Sequence, residues 1–119
     1  MIEKKKYDLE ERTFKFAKNV RKFVQQLPHS ILLRDDISQL IRSSGSIGAN
    51  YIEANESLGK KDFVIRIKIC RKEAKETVYW LKLFAEQKLS QSMEGERILL
   101  ENEAIQLMHI FGAIVSKVS

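Results

Sequence analysis

Residues 39–56 read QLIRSSGSIGANYIEANE, and this stretch decides the fold. Steps of three and four residues, the period of an α-helix, separate a set of positions on one face: Ile37, Leu40, Ile41, Ser44, Ile47, Gly48, Tyr51 and Ile52. The same face is rich in small residues, namely Ser43, Ser44, Gly45, Ser46, Gly48 and Ala49. Each glycine inside a helix costs about 1 kcal/mol relative to alanine. We therefore predict a helix whose small face lets a neighbouring helix backbone approach closely.

Four helices are predicted along the chain, at residues 9–27, 35–58, 62–87 and 93–118. The first is expected to start at a capping pair, Asp8 and Glu11, with residues 1–7 frayed, and to stop at Pro28. His29 and Ser30 are expected to be exposed in the connection that follows.

The other helix ends also carry signals. Asp35 and Asp36 suit the positive end of the second helix, and Gly59 suits its C-terminal cap. Ser90 or Ser92 is expected to cap the fourth helix. Four helices with short connections predict an all-α fold, an antiparallel up-down-up-down four-helix bundle in a single domain spanning residues 1–119.

Apolar faces can be assigned to the other three helices. In the first helix the face consists of Phe16, Ala17, Val20, Phe23, Val24 and Leu27. In the third it follows alternating steps of four and three through Phe63, Ile67, Cys70, Ala74, Thr77, Leu81 and Phe84. The fourth helix has two stripes, one of Leu100, Ala104, Leu107, Phe111, Ile114 and Val118, the other of Ile98, Ile105, Met108, Gly112 and Val115. Because one stripe suffices inside a monomeric bundle, the second predicts self-association.

The composition points to a soluble cytoplasmic protein. The single cysteine excludes an internal disulfide framework and fits a reducing compartment. The N-terminal residues show no signal-peptide pattern, and no uninterrupted apolar run reaches the roughly 20 residues of a membrane helix. We therefore expect no membrane association.

The net charge of +5 is concentrated in one segment. Residues 60–88 hold nine Lys and Arg against four Asp and Glu. Lys61, Lys68, Lys75 and Lys82 are spaced by seven residues and so share a face of the third helix, where Lys72 and Tyr79 also fall. Arg66, Arg71 and Lys88 widen the field. Such a stripe can follow the phosphates of a nucleic acid, although charged runs are more often solvated helix faces.

Catalytic and metal-binding constellations are missing from the sequence. Glu53 with Glu56, and Glu73 with Glu76, are paired carboxylates, but a di-metal bundle site also needs a Glu-x-x-His motif on two helices. His29 and His109 are isolated, so no Ser-His-acid triad can be assembled, and no glycine-rich phosphate loop is present. Cys70 is predicted to be a buried packing residue. We expect no metal, no cofactor and no enzymatic activity.

A set of polar residues on the second helix needs partners. Arg42, Asn50 and Glu53 could form a ligand site, but we favour an interhelical polar network with Glu73, Glu76 or Tyr79 of the third helix. Tyr79 and Trp80 are interpreted as packing residues.

Three segments together resemble a known family: RTFKFAKNVRKFVQQLP, QLIRSSGSIGANYIEA and KKDFVIRIKICRKEAKETVYWLKLF. They are similar to the bacterial four-helix-bundle proteins encoded in intervening sequences of 23S rRNA genes, over about residues 8–88; the fourth helix fits in pattern only. The family is similar in fold to the accessory variability protein of diversity-generating retroelements, a barrel-like homopentamer that binds nucleic acid and a reverse transcriptase. The ribosomal label of the intervening-sequence family derives from the location of its genes.

The resemblance implies a pentameric ring with a basic surface and brings no catalytic residues. The leading hypothesis is a non-enzymatic homo-oligomer that binds structured RNA or DNA through the third helix. Its phosphate-binding residues would be Lys61, Arg66, Lys68, Arg71, Lys72, Lys75 and Lys82. The alternative is a protein–protein scaffold or adaptor, for example an accessory subunit of a reverse-transcriptase-like partner.

Overall fold

Four α-helices make up the protein in a computed structural model that describes residues 2–28 and 30–118, with side chains from residue 9 onward. The helices are α1 (Ile2–Gln25), α2 (Ile31–Asn55), α3 (Lys60–Leu83) and α4 (Gln91–Val118), and a short 3₁₀ turn (Phe84–Gln87) continues α3. No strand occurs in the described ranges. The predicted all-α class is therefore confirmed.

The helices are arranged in a ring of four in which α1 and α3 each pack against α2 and α4. Neighbouring helices run in opposite directions, as pairs of contacts show. Along α1 and α4, Arg12 bonds Glu103 whereas Gln26 bonds Glu96. Along α3 and α4, Arg97 bonds the carbonyl of Leu81, whereas Gly112 lies beside Arg71.

The core lies along the bundle axis and is built from the predicted apolar faces. Phe16, Val20, Phe23, Val24 and Leu27 of α1 are all buried. So are the central members of the α3 and α4 stripes: Ile67, Cys70, Ala74, Thr77, Leu81, Leu100, Ala104, Leu107 and Phe111. Phe23 meets Phe84 edge-on, with ring centroids 6.3 Å apart. The three- and four-residue spacing therefore identified the central members of the inward faces, whereas four other predicted members are half-buried: Ala17, Phe63, Ile114 and Val118.

The start of α1 and of α2 differs from the sequence prediction. α1 begins at Ile2 and continues through Asp8, so the predicted cap and the frayed segment are wrong for residues 2–7. The lysines and glutamate before Asp8 are good helix formers, which lets the helix extend. α2 begins at Ile31 because the hydroxyl of Ser30 accepts a hydrogen bond from the Leu33 N–H at 3.3 Å. Ser30 is exposed as predicted; His29 lies outside the described residues.

The remaining ends follow the same logic of local capping. Asp35 and Asp36 lie beyond the first turn of α2, contrary to prediction. Gly59 does not cap α2, which ends at Asn55, but is the N-cap of α3. The α-helix α3 ends at Leu83, four residues before its predicted end, because the chain tightens into the 3₁₀ turn Phe84–Gln87. Lys88, which follows this turn, has a left-handed backbone conformation (φ 51°). Ser90 caps α4, as one of the two predicted alternatives, by accepting from the Met93 N–H at 3.2 Å.

The small face of α2 packs against two neighbouring helices, α1 and α3. A Cβ added to Gly48 would lie 2.9 Å from the Thr13 hydroxyl of α1. Thr13 is buried, and its hydroxyl donates to the Leu9 carbonyl at 2.8 Å. Towards α3, the buried Ser43 hydroxyl accepts from Thr77 at 2.9 Å. The predicted close approach is thus confirmed, and α1 is the helix that Gly48 admits.

A buried arginine that the sequence did not single out joins the end of α3 to α4. Arg97 is 7% exposed and donates to both Glu94 oxygens and to Glu101, each at 2.7 Å, and to the Leu81 carbonyl at 3.3 Å. The hydrogen bonds to Glu94 are the main reason that the pKa of Arg97 is raised above its usual value. Arg97 therefore adds a second hydrogen bond to the Leu81 carbonyl, which also accepts from the Phe84 N–H at the end of α3.

One face of α4 is not covered within the chain. Ile98 and Leu99 are exposed, Ile105 and Met108 are half-buried, and Val115 of the same predicted stripe is buried. By length and composition alone α4 could cross a membrane, and 28% of its most apolar window is buried inside the chain. The core helix of a soluble protein passes the same test, so this feature establishes only that α4 has more apolar surface than its own bundle uses.

Candidate nucleic-acid interface

Four basic side chains line an open groove between α3 and α4, which we call the α3–α4 groove. Its volume is about 710 Å³, and its lining consists of Lys68, Arg71, Lys72, Lys75, Met108, His109, Gly112, Ala113 and Ser116. No carboxylate belongs to this lining. The groove is therefore a concentrated positive surface suited to anions.

Helix geometry explains how the sequence builds this groove. Residues 68, 72 and 75, and residues 71 and 75, are separated by three or four positions, so they form adjacent ridges on α3. From α4, Gly112 faces the stem of Arg71, and a Cβ at Gly112 would be 3.6 Å from Arg71 Cδ. A large side chain at position 112 would occupy this space, so glycine helps to keep the groove open.

The structure brings together four of the seven predicted phosphate-binding residues and separates the others. Lys61 and Lys82 are exposed on α3 but do not line the α3–α4 groove. Arg66 is half-buried. It precedes Arg71 by five residues, which corresponds to a rotation of about 140° around the helix, so Arg66 points to another side.

The contributions of α4 were missed by the sequence reasoning. His109, Gly112, Ala113 and Ser116 lie at steps of three and four residues and face the lysines of α3. This small, polar stripe lies beside the apolar stripes of the helix. Its signal was visible in the spacing, but only the packing of α4 against α3 shows which surface it faces.

A second, shallower cleft lies between α2 and α3, with a volume of about 470 Å³. Arg42, Lys72, Glu73, Lys75, Glu76 and Tyr79 line it, and we call it the α2–α3 cleft. Arg42 donates to Glu76 at 2.6 Å and to Glu73 at 3.1 Å. The hydrogen bond to Glu76 is the main cause that raises the pKa of Arg42 and lowers the pKa of Glu76.

The predicted interhelical network is therefore correct for Arg42 and Glu73 and incorrect for two other residues. The amide of Asn50 donates to the Ser46 carbonyl of its own helix at 2.8 Å, and Glu53 is exposed. Only a long side chain such as arginine spans the distance to α3 from the edge of α2. Another amide, that of Asn55, bonds Glu10 of α1 at 2.8 Å.

Tyr79 is not the packing residue that the sequence suggested. Its side chain is 58% exposed at the rim of the α2–α3 cleft. Its ring contacts Trp80 edge-on, with centroids 5.0 Å apart, while Trp80 packs against the core. The prediction holds for Trp80 and is wrong for Tyr79, because adjacent positions on a helix differ by about 100°.

The described residues contain no cluster suited to metal binding and no activated thiol. No group of three or more His, Cys, Asp or Glu is placed to hold a metal ion in residues 9–28 and 30–118. Cys70 is buried, and burial raises the pKa of its thiol to about 12. The thiol is therefore protonated near neutral pH, and Cys70 packs in the core as predicted.

The structure is that of an all-helical bundle with a basic groove. Comparison with known proteins identifies its family. Residues 5–110 match the family model of the 23S rRNA-intervening sequence protein, so the chain belongs to this family. The match extends beyond the three quoted segments into most of α4.

A solved structure supports the same assignment. The chain is similar, with 26% identity and a TM-score of 0.74, to a Bacteroides thetaiotaomicron protein of unknown function from the S23 ribosomal protein family. The similarity covers 89% of this chain and 96% of the other. No curated protein matches the chain.

Proposed function

We propose that this protein is a non-enzymatic, homo-oligomeric helical bundle that binds structured RNA or DNA through α3. The observation that carries the proposal is the α3–α4 groove, whose lining brings together Lys68, Arg71, Lys72 and Lys75 and contains no carboxylate. Nucleic acid offers regularly spaced anions to such a surface. Lysine and arginine contacts to phosphates hold the backbone in register and carry little sequence information.

The expected affinity depends steeply on salt. Each phosphate neutralised on a duplex contributes a slope of about −0.9 to the logarithmic salt dependence of the binding constant. A groove with four cations therefore predicts a slope of roughly −3 to −4 per bound chain. Specific recognition of a small ligand would give a weaker dependence.

The experiment is a fluorescence-anisotropy titration with a structured RNA hairpin and a matched DNA duplex across a salt series. The variant Lys68→Glu/Lys72→Glu/Lys75→Glu is expected to abolish binding, because it reverses the charge of the groove while its exposed positions leave helicity intact. The matched control is Lys15→Glu/Lys18→Glu/Lys22→Glu, which makes the same charge change on exposed positions of α1. Equal losses in both variants, or binding that survives in the first, would contradict the proposed site.

Self-association is the second part of the proposal. The uncovered apolar residues of α4, Ile98 and Leu99, support a further partner for that helix. The family resemblance implies a ring of five chains, and a cyclic ring requires contact between two different faces of the chain. The sequence composition favours a cytoplasmic location for the protein. Mass measurement by light scattering over a dilution series tests it, and a monomer at all concentrations would contradict it.

The exposed apolar residues also favour a second candidate function, that of a protein–protein scaffold or adaptor. Ile31 and Leu32 at the start of α2 and Leu58 in the connection after it are strongly exposed, and none of them lines the α3–α4 groove. A reverse-transcriptase-like protein encoded nearby is the partner that the resemblance suggests. Capture of such a partner that resists high salt and survives the triple lysine change would favour this function over nucleic-acid binding.

A further inference from the structure

An exposed aromatic ring stands on the same side of α3 as the lysines. Tyr79 follows Lys75 by four residues and Lys72 by seven, so the three side chains lie on one face and share the α2–α3 cleft. At 1.5 Å per residue, Tyr79 is about 6 Å along the helix from Lys75. The Tyr79 side chain is 58% exposed, so its ring is accessible to a ligand that is held by these lysines.

The ring of Tyr79 is held in place by its neighbour. Trp80 packs against the core and meets Tyr79 edge-on at 5.0 Å between centroids. An edge-to-face contact covers at most one face of a ring, so Trp80 leaves at least one face of Tyr79 uncovered. The tyrosine is thus oriented before any ligand arrives, which lowers the entropy lost on binding.

The charges of the two surfaces differ in a way that suits the two parts of a nucleotide. The α3–α4 groove has four cations and no carboxylate, whereas the α2–α3 cleft contains Glu73 and Glu76, already paired with Arg42. A phosphate is therefore favoured in the groove, and an uncharged base is favoured in the cleft. Lys72 and Lys75 line both surfaces and form the ridge between them.

We propose that Tyr79 is a stacking platform for an unpaired base, so that the protein recognises single-stranded segments of nucleic acid. The inference rests on the proposed function, since the lysines of the groove would hold the backbone that brings the base to Tyr79. Base-on-aromatic stacking combined with a basic groove is a general mode of single-strand binding, and it tolerates any sequence. Bases inside a duplex are stacked on each other and cannot offer a face to the ring.

The other exposed aromatic residue in a basic setting differs in one respect. Phe14 of α1 is 66% exposed beside Lys15 and Lys18, but the Lys18 ammonium lies 5.7 Å from the centre of its ring. Phe14 lines neither the α3–α4 groove nor the α2–α3 cleft. Phe14 is therefore the matched control for an exposed aromatic ring near lysines that lies away from the proposed site.

The test compares three labelled probes by fluorescence anisotropy: a short single-stranded DNA, its duplex, and a strand of the same length with abasic sites. We expect the wild-type protein to prefer the single strand. Tyr79→Ala should weaken single-strand binding about tenfold while leaving the abasic strand unchanged. Tyr79→Phe should retain wild-type affinity because the ring is kept, and Phe14→Ala should have no effect.

An independent signal comes from the fluorescence of Trp80, the only tryptophan in the sequence. Stacking on Tyr79 is expected to change the emission of the adjacent indole with the single strand but not with the abasic strand.

The outcomes separate this inference from the function on which it rests. If single strand and duplex bind equally and Tyr79→Ala changes neither, the stacking platform is wrong while salt-dependent phosphate binding stands. If Phe14→Ala weakens binding as much as Tyr79→Ala, the assignment to Tyr79 is likewise wrong. If no probe binds the wild-type protein even at low salt, both proposals fail.

Discussion

Two helix contacts in this bundle each include a glycine, and the two glycines have opposite effects on how closely the helices pack. Between α1 and α2, Gly48 faces the buried Thr13, and the missing side chain lets the helices close completely. Between α3 and α4, Gly112 faces the stem of Arg71 at the edge of the bundle, and the missing side chain leaves the groove open. Glycine thus permits a close helix contact where its neighbour is the short, buried Thr13 and an open groove where its neighbour is the long, charged Arg71.

The largest expected effect on stability concerns Arg97, which joins the end of α3 to α4. Arg97→Ala should lower the free energy of unfolding by about 3 kcal/mol, because it leaves Glu101 without its buried partner and removes one of the hydrogen bonds to the Leu81 carbonyl. Urea denaturation at neutral pH measures this loss. The control is Arg12→Ala, which removes the half-exposed pair with Glu103 and should cost about 1 kcal/mol or less. Equal losses of stability would show that Arg97 contributes no more to the fold than the half-exposed Arg12 does.

The next effect tests the glycine comparison directly. Gly48→Ala should destabilise the fold by about 1–2 kcal/mol, because the new methyl group would press on Thr13 at 2.9 Å. The gain in helix propensity, about 1 kcal/mol, only partly offsets this overlap. Thermal or urea unfolding provides the measurement.

Gly112→Ala is the matched control for that change. Its Cβ would make an ordinary contact at 3.6 Å with a flexible arginine stem, so stability should stay constant or rise by up to about 1 kcal/mol. The comparison breaks down if alanine at position 112 destabilises the protein as much as alanine at position 48.

The smallest expected effect concerns the pH dependence of the α2–α3 cleft. The pKa of Glu76 is lowered in the folded protein, chiefly by the hydrogen bond from Arg42. Its contribution to stability is therefore present above the usual glutamate pKa and is lost as the pH falls through the lowered value. Urea unfolding between about pH 7 and about pH 3 should show a shallower acid loss for Glu76→Gln than for the wild type. An identical acid profile would mean that the ion pair with Arg42 does not contribute.

Much of the architecture could be predicted because it depends on short-range periodicity. The spacing from Phe63 to Phe84 identified the buried face of α3, and the small residues of α2 predicted a close helix contact. Helix ends were less predictable, since each depends on competition between nearby caps. Ser30 rather than Asp35 starts the second helix because its hydroxyl reaches the Leu33 amide.

The candidate site was predictable in part for the same reason. A repeat of seven residues placed Lys61, Lys68, Lys75 and Lys82 on one side of α3, but it could not tell which of them lie opposite α4. His109 and Ser116 come from a helix about 40 residues away in sequence, and the place of Tyr79 beside Arg42 depends on how α2 packs against α3. Arg97 was overlooked because a charged residue in a polar helical turn shows no sign of burial in the sequence.

The sequence by itself determined the four helices, their inward faces and the position of the basic excess, because local spacing and residue type control each of these. Only the tertiary structure decided which cations share a groove, which aromatic ring is exposed and which arginine is buried. Those properties depend on the distance between side chains of different helices, and this distance is fixed when the helices pack, as at Gly48 and Gly112.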